Sequence, residues 1–480
     1  MSDAADPIAQ RALAINLDRC VYGTFAEIGA GQEVARWFFS VGGAAGTVAK
    51  SMSAYDMQVS DAVYGKTQRY VSRERLERML DHEYALVRER LRDSRGESTR
   101  FFAFADTAAA KSHAGGGDWH AWMGMRFQHR PGGEDHDVIL HVRLLDPSNA
   151  RQQDALGRLG VNLVHACVHH HGDPLRLVDA LLDDIGRERL EIDWVGLRGP
   201  AYETLDNRLL ALHLVRVGYT HAVLFDAAGR PQLASELFRH RSVLVERGTF
   251  APVTRFNLDL LARAREPFLA DGPACGPAGR AAEPVVEIME ITTNNLRARD
   301  DSGDADFLAR VDLLAAVGKA VLVSDLGPFH RLADYLEKRK VSRTGIVLGV
   351  PLLAALFDES HYRDLGGGIL EAFGRLFNHA VRLYVHPTRD PATGRIVGAA
   401  DVEVPPHLVH LLRHCLTNGL VRPIPCEDAV LHAHSSAEVR ALLCAGDPAW
   451  RELVDPAVAR IIDDTGYFGG RCDLPPAGGG

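Results

Sequence analysis

The sequence predicts an α/β protein whose mostly parallel sheets carry helices on both faces. From residue 137 onward, short β-branched runs alternate with stretches of helical spacing, and strands separated by helices in this way form parallel sheets. These runs are DVILHVRLL (137–145), LEIDWVGL (190–197), HAVLFD (221–226), SVLVERG (242–248), VVEIMEI (285–291), AVLVSD (320–325), GIVLGV (345–350), VRLYVHP (381–387) and AVLHAH (429–434). The 480 residues, 46% of them hydrophobic and 24% charged, are enough for two or three domains with cores of their own.

The region before residue 135 is predicted to be more irregular and helix-rich. ERLERMLDHEYALVRERL (74–91) has apolar residues at helical spacing, while its neighbours contain glycine-rich loops and few strand-like runs. We expect an N-terminal α/β region of unknown role over residues 1–240 and a Rossmann-like domain over residues 241–470. Pro, Gly and Ala interrupt the pattern at 265–284, as in a linker or a long loop, and the tail 471–480 is predicted to be flexible.

Charge and hydropathy argue against several classes of partner. The formal net charge is −9, whereas binding to nucleic acid or to an anionic membrane surface needs a basic excess. The N-terminus lacks the basic flank and apolar core of a secretory signal, and no run of about 18 apolar residues is present. The seven cysteines are scattered without a CxxC pair, so no metal site is expected. The sequence thus predicts a cytoplasmic protein and leaves homo-oligomerisation open.

Two glycine-rich segments are candidates for phosphate binding. VERGTFAPVTRFNLDLL (245–261) has the order strand, glycine turn and helix start, which directs backbone N–H groups and the positive end of a helix dipole at an anion. GTFAEIGAGQEVARW (23–37) contains Gly29-Ala30-Gly31, but Val34 occupies the third glycine position of a dinucleotide fingerprint and no strand is predicted directly before it. For this second segment, a tight turn at a helix start is the favoured alternative.

The first of these segments carries a family resemblance. GTFAPVTRFNLDLL (248–261) resembles the GTFDPxHxGHLxLL-type signature of the nicotinate and nicotinamide mononucleotide adenylyltransferases, and residues 435–440, SSAEVR, resemble that family's Ser-Ser-Thr-x-Ile-Arg signature. Further landmarks along the chain are KSMSAYDM (50–57), HVRLLD (141–146), GVNLVHA (160–166), DNRLLAL (206–212) and GGILEAFGRLF (367–377). With these, the whole chain also resembles a bacterial family often called nicotinate-nucleotide adenylyltransferase. The resemblance implies a nucleotide ligand, with ATP and Mg²⁺ as cofactors and Thr254 and Asn257 as catalytic residues. It further implies that the ATP is bound by Gly248, Thr249, Phe250, Ser435, Ser436 and Arg440.

Departures from the first signature fall on positions that carry chemistry. Thr254 and Asn257 stand where the family has two histidines, and Phe256 stands at its glycine. Asparagine donates hydrogen bonds but has no positive charge, and phenylalanine removes the room that glycine gives to an approaching phosphate. In the second signature, Ser435 and Glu438 also fit a helix capping box. A nucleotide-binding protein, with or without adenylyl transfer, and a noncatalytic self-assembling or scaffolding protein therefore both remain open.

Overall fold

The computed structural model describes residues 6–110, 119–271, 285–297, 303–377, 380–390, 393–426 and 435–468. The chain divides into two compact units, Met1–Thr220 and His221–Gly480. Within the described ranges, no helix has the length and apolar character needed to cross a membrane.

The first unit is built on a six-stranded mixed sheet. Its strands are β1 (Val21–Gly29), β2 (Val48–Ala54), β3 (Arg100–Ala109), β4 (His120–Gln128), β5 (Asp135–Leu144) and β6 (Leu190–Arg198), in the order β2-β1-β3-β4-β5-β6. Its helices are α1 (Pro7–Leu17), α2 (Val34–Ser40), α3 (Met57–Tyr64), α4 (Arg73–Arg95), α5 (Asn149–His169), α6 (Pro174–Asp179) and α7 (Asn207–Arg216). Strands β2, β1 and β3 are parallel, whereas β4, β5 and β6 each run antiparallel to the strand before them in the sheet.

Helices cover both faces of this sheet. The predicted helix over 74–91 is α4, which begins after the N-cap Ser72 and packs its buried residues against β1, β3 and β4. On the other face, α5 approaches α2 closely because it has glycine at the contact. A Cβ atom on Gly160 would lie 2.3 Å from Val34 Cγ2, so no larger residue fits there without movement.

The first 135 residues contain more regular structure than the sequence pattern indicates. Four strands, β1 to β4, precede residue 135, and three of the five pairings in this sheet are antiparallel rather than parallel. The reason is visible in β3, where all residues but the first and last are buried. A strand buried on both faces has no alternation of apolar and polar residues to reveal it.

The second unit is built on an eight-stranded sheet. Its strands are β7 (Ala222–Phe225), β8 (Pro231–Gln232), β9 (Ser242–Arg247), β10 (Val286–Thr292), β11 (Ala320–Ser324), β12 (Arg343–Gly349), β13 (Val381–His386) and β16 (Val421–Pro423), with β14 (Thr388–Arg389) and β15 (Ile396–Val397) forming a separate pair. Its helices are α8 (Ala234–Phe238), α9 (Arg255–Ala270), α10 (Thr293–Arg297), α11 (Gly303–Ala316), α12 (Phe329–Lys338), α13 (Val350–Ala355), α14 (Gly368–Leu376), α15 (Val409–Thr417), α16 (Ser436–Ala445) and α17 (Pro456–Thr465).

The order of this second sheet is that of a doubly wound Rossmann-like fold. It reads β16-β13-β12-β9-β10-β11-β7-β8, with β16 to β11 parallel and β7 and β8 added antiparallel at one edge. The chain leaves β9 towards β10 on one side and later returns to place β12 on its other side, so the topological switch point lies between β9 and β12. The predicted α/β class and the Rossmann-like second half are confirmed.

The boundaries differ in detail from those expected. The units divide at residue 220, not near 240, because β7, β8 and α8 pair and pack with the second sheet. The predicted strand at 429–434, residues 272–284 of the proline- and glycine-rich stretch at 265–284 and the predicted flexible tail 471–480 lie outside the described residues.

Candidate functional site

The loop that follows β9 lies at the switch point of the second sheet, and its glycine is required by packing. The Gly248 N–H donates to the Glu290 carbonyl oxygen at 3.0 Å, which holds the loop against the end of β10. Phe250 has a φ of 44° and its side chain is buried. A Cβ atom at position 248 would lie 2.8 Å from that ring, so any other residue would displace Phe250.

A buried arginine on α11 donates a hydrogen bond to the backbone of the loop after β9. Arg310 is fully buried, donates from Nη1 to the Thr249 carbonyl oxygen at 2.8 Å, and forms an ion pair with Asp306 one turn earlier. Sequence reasoning missed this residue. The spacing of Asp306 and Arg310 indicates a pair on a helix, but nothing in the sequence indicates that the pair reaches the loop.

The two residues predicted to be catalytic, Thr254 and Asn257, are brought together by a capping box at the start of α9. Asn257 Oδ1 accepts from the Thr254 N–H at 3.0 Å and from Thr254 Oγ1 at 2.9 Å, while Thr254 Oγ1 accepts from the Asn257 N–H at 3.4 Å. Asn257 Nδ2 donates to Glu246 Oε1 at 2.8 Å. These bonds give both residues a local structural role, because capping satisfies N–H groups that a helix start leaves without partners.

Glu246 is a buried acid that is hydrogen-bonded to the start of α9 through Asn257. It lies on β9, is 3% exposed, and has its pKa raised by burial from 4.5 to about 8, although the bond from Asn257 acts in the opposite direction. The carboxyl is therefore mainly protonated at neutral pH and does not repel an anion at the loop. Its signal in the sequence is a glutamate directly after the apolar run Val243–Val245 of SVLVERG, which the sequence analysis did not identify.

The second predicted segment contacts the first. Ser435 is the N-cap of α16 and forms a capping box with Glu438, as the sequence alternative foresaw, with the Ser435 N–H donating to Glu438 Oε2 at 2.6 Å. Ser436 Oγ donates to the Pro252 carbonyl oxygen at 2.8 Å, across 184 residues of sequence. Arg440 is half-buried one turn further along α16. The starts of α9 and α16 thus meet at the same loop.

Phe256, at the position of the family's glycine, packs against a histidine that the sequence did not indicate. Its ring meets that of His386 edge-on, with centroids 5.2 Å apart, and His386 ends β13, two strands from β9. Burial lowers the pKa of His386 below its usual value, so the ring is neutral at neutral pH. His386 Nε2 lies 3.5 Å from Cys426 Sγ.

The prediction that no strand directly precedes Gly29-Ala30-Gly31 in the first unit is wrong. Strand β1 runs directly into Gly29, and α2 begins at Val34. The start of α2 is filled by the chain's own carboxylate, because Glu27 accepts from the Val34 and Ala35 N–H groups at 2.8 and 3.1 Å. Gly31 lies so close to Asp106 that an added Cβ atom would be 2.5 Å from Oδ1. A turn at a helix start, the favoured alternative, describes this segment.

No metal centre accompanies either segment in the part of the chain that the structure describes. Nowhere in those ranges do three or more His, Cys, Asp or Glu side chains gather in a way that would hold an ion.

Comparisons with known proteins add little to this geometry. No family model matches the chain, and no curated protein matches it. A competence/damage inducible protein, CihA, from Agrobacterium tumefaciens is 18% identical with a TM-score of 0.25, covering 35% of this chain and 98% of that one. CinA superfamily proteins from Klebsiella pneumoniae (13% identity, TM-score 0.26, 34% and 96% covered) and Enterobacter cloacae (12%, 0.23, 38% and 95%) are similar to the same limited extent. Structural similarity this weak transfers neither a site nor an activity.

Proposed function

We propose that the second unit binds a nucleotide whose phosphates lie at the loop after β9. The observation that carries the proposal is the hydrogen bond of 2.8 Å between Ser436 Oγ and the Pro252 carbonyl oxygen. It brings the starts of α9 and α16 to one loop at the switch point, and ligands of doubly wound sheets bind in the crevice at such a point. Each capping box satisfies two N–H groups at its helix start, and the remaining N–H groups and the positive dipole end are what we propose the phosphate contacts.

Two arginines accompany the loop and the start of α16. Arg310 donates to the Thr249 carbonyl oxygen while paired with Asp306, and Arg440 lies one turn along α16. The raised pKa of Glu246 keeps this buried acid mainly neutral at pH 7. For the same reason Glu246 is a poor Mg²⁺ ligand, so an Mg²⁺ ion would be held by the phosphate oxygens of the nucleotide itself.

Binding without adenylyl transfer is the activity that the side chains support better. Thr254 and Asn257 use their polar groups for each other and for Glu246, and neither can carry a positive charge. Phosphoryl chemistry depends on positioned positive charge at the reacting phosphate. The neighbouring histidine, His386, is neutral and packed against Phe256, so it does not replace that charge.

Calorimetric titration of the full chain with ATP and Mg²⁺ tests the proposal. We expect saturable binding that weakens at least tenfold in Arg440→Gln. The matched control is Arg451→Gln, since Arg451 is exposed and pairs with Asp463 at 2.6 Å in the segment after α16; it should change affinity less than twofold. Equal affinity in all three proteins would place the nucleotide elsewhere. No binding would overturn the proposal and favour the noncatalytic assembly protein.

A second measurement separates binding from transfer. Nicotinate mononucleotide is added to the ATP complex while pyrophosphate release is followed. We expect no release above the rate without protein. Release that is lost in Asn257→Ala would instead identify a working adenylyltransferase and would contradict the assignment of a binding role alone.

A further inference from the structure

A short turn after β6, Pro200–Tyr202, is held against the first unit by two hydrogen bonds. The Ala201 N–H donates to His136 Nε2 at 3.1 Å, and Tyr202 Oη donates to the His171 carbonyl oxygen at 3.1 Å. Ala201 is exposed, whereas His136 at the start of β5 is 1% exposed and Tyr202 is 4% exposed. An exposed segment of backbone therefore covers a buried histidine ring.

The backbone of this turn lies directly on the histidine. A Cβ atom on Gly199, whose φ is 122°, would be 2.7 Å from the Asp135 carbonyl oxygen and 2.9 Å from His136 Cδ2. The Tyr202 ring meets the His136 ring edge-on, with centroids 5.6 Å apart. Because the buried ring is enclosed in this way, a repulsion between ring and turn is relieved by movement of the exposed turn.

The partners of His136 define its protonation state. Nδ1 lies 3.1 Å from the Glu134 carbonyl oxygen, which only accepts, and Nε2 faces the Ala201 N–H, which only donates. The ring therefore carries its proton on Nδ1 and is neutral. A second proton would bind at Nε2 and would leave two donors facing each other, so protonation and the bond from Ala201 exclude one another.

Two further histidine rings lie next to His136. The ring of His129 is 4.9 Å from that of His136, and the ring of His171 is 5.8 Å from that of His129, measured between centroids. Burial lowers the pKa of both His129 and His171 below the usual value. All three rings are thus neutral at pH 7, and each gains a positive charge only in acid.

The charges around these rings add to the effect of acid. Arg100 and Arg130 disfavour a positive ring at His129, while Glu134 acts in the opposite direction. Asp135 is bonded to side chains of α4. The titratable and charged groups next to the three rings are Arg100 of β3, Arg130 and Glu134 of the hairpin between β4 and β5, Asp135 of β5, Cys167 and His169 of α5, and Tyr202 and Glu203 of the turn.

We propose that His136 makes the turn Pro200–Tyr202 an acid-sensitive latch of the first unit. At neutral pH the ring accepts from the Ala201 N–H and the latch is closed. In acid Nε2 takes a proton from solvent, the bond from Ala201 is lost, and the turn moves away from β5 together with Tyr202. Release uncovers the His136 ring and the ring of Phe127, 5.8 Å from it, so acid exposes an aromatic surface that is buried at neutral pH.

Hydrogen exchange of the full chain between pH 7.5 and pH 5, corrected for the intrinsic effect of pH and followed by peptide mass spectrometry, tests the latch. A single histidine that gains its proton only on release shifts such an equilibrium by up to about 30-fold between these pH values. We therefore expect the protection of peptides that cover residues 199–206 to fall at least tenfold. Peptides from β1, in the same sheet, should change less than twofold, because the unit itself stays folded.

A variant without a titrating ring closes the latch permanently. His136→Gln keeps an acceptor, since a glutamine Oε1 can accept from the Ala201 N–H, but it gains no proton. We expect the protection of residues 199–206 in this variant to change less than twofold between pH 7.5 and pH 5. The matched control is His82→Gln, since His82 is exposed on α4 of the same unit with its ring 5.4 Å from that of Tyr64; it should behave as the wild type.

Three results would overturn the proposal. Constant protection of residues 199–206 in the wild type would mean that the turn does not respond to acid. An equal loss in His136→Gln would assign the response to another group. A parallel loss in the peptides from β1 would mean that the whole unit unfolds, without a separate release of the turn.

A measurement on the wild-type protein covers the case in which His136→Gln does not fold. The hydrogen on the carbon between the two ring nitrogens exchanges at a rate that depends on ring protonation, and it is followed at each histidine by peptide mass spectrometry. The pH at which His136 becomes protonated should coincide with the pH at which residues 199–206 lose protection. Release at a pH where His136 keeps its neutral ring would contradict the proposal.

Discussion

The buried acid beneath the candidate loop makes the stability of the second unit depend on pH in a specific direction. Burial raises the pKa of Glu246 from 4.5 to about 8. Below pH 4.5 the carboxyl is protonated in both the folded and the unfolded chain and costs nothing. As the pH rises from 4.5 to 8, the unfolded chain ionises while the folded chain stays protonated, so stability falls with rising pH across that window.

The magnitude follows from the difference between the two pKa values. One unit corresponds to about 1.4 kcal/mol, so a carboxyl shifted from 4.5 to about 8 costs up to about 3 kcal/mol at pH 7 and about 5 kcal/mol above pH 8. Glu246→Gln keeps the acceptor for Asn257 Nδ2 but cannot ionise. We therefore expect this variant to unfold like the wild type at pH 5 and to be more stable by several kcal/mol at pH 8.5.

Hydrogen exchange of peptides that cover β9 is the appropriate assay, because it reports the second unit without the first. The control is Glu452→Gln, an exposed position in the same unit, which should leave the pH dependence unchanged. If the wild type and Glu246→Gln lose protection in parallel as the pH rises, the carboxyl is not held in its neutral form, and the argument for an anion-tolerant loop fails with it.

Two further predictions concern the first unit. Gly160→Ala places a Cβ atom 2.3 Å from Val34 Cγ2 and should lower the free energy of unfolding by about 1 to 3 kcal/mol. The control Gly172→Ala, with no atom within 4 Å of its Cβ, should change the melting temperature little. Equal melting temperatures of the two variants would contradict the close packing of α5 on α2. Burial, together with repulsion from His169, lowers the pKa of His165 from 6.5 to about 4. This ring therefore does not reduce the free energy of unfolding above pH 6.5, and it reduces that free energy progressively as the pH drops from 6.5 to 4. His165→Gln should reduce that acid-dependent loss by about 1 to 2 kcal/mol, given the partial exposure of the ring, and an unchanged acid limb in urea unfolding would refute the assignment.

The sequence predicted those features of the fold that depend only on residues within a single strand or helix. Each predicted strand from 137 to 387 is present, because each of these segments is a short apolar run that contains β-branched residues and has clear ends. The capping box at Ser435 was predicted, since a cap depends on residues three positions apart, whereas the equally spaced box at Thr254 and Asn257 was not, because these residues were interpreted as catalytic.

The long-range contacts that shape the candidate site could not be predicted from the sequence, for a physical reason. Arg310 touches Thr249 across 61 residues, and the Ser436 contact with Pro252 spans 184. The contact of 2.5 Å between Asp193 Oδ1 and His141 Nδ1 likewise lies at a β-bulge of β6. Such contacts depend on register and packing between elements, which no local spacing records.

The repeated tetrapeptide GTFA shows why a motif has to be located on an element before it is assigned a function. In the second unit Gly248 follows the last residue of β9, and its N–H is held by the end of β10. In the first unit Gly23 lies within β1, where an added Cβ atom would be 2.2 Å from the Phe102 carbonyl oxygen, and the phosphate-like position at α2 is taken by Glu27. The same four residues thus serve strand packing in one unit and a turn at a switch point in the other. At α2 the Glu27 carboxyl accepts from two N–H groups of the helix start, whereas the acid below α9 is bonded to the Asn257 side chain and not to the N–H groups of that helix. That difference is why we propose the nucleotide site in the second unit and not at the glycine-rich segment of the first.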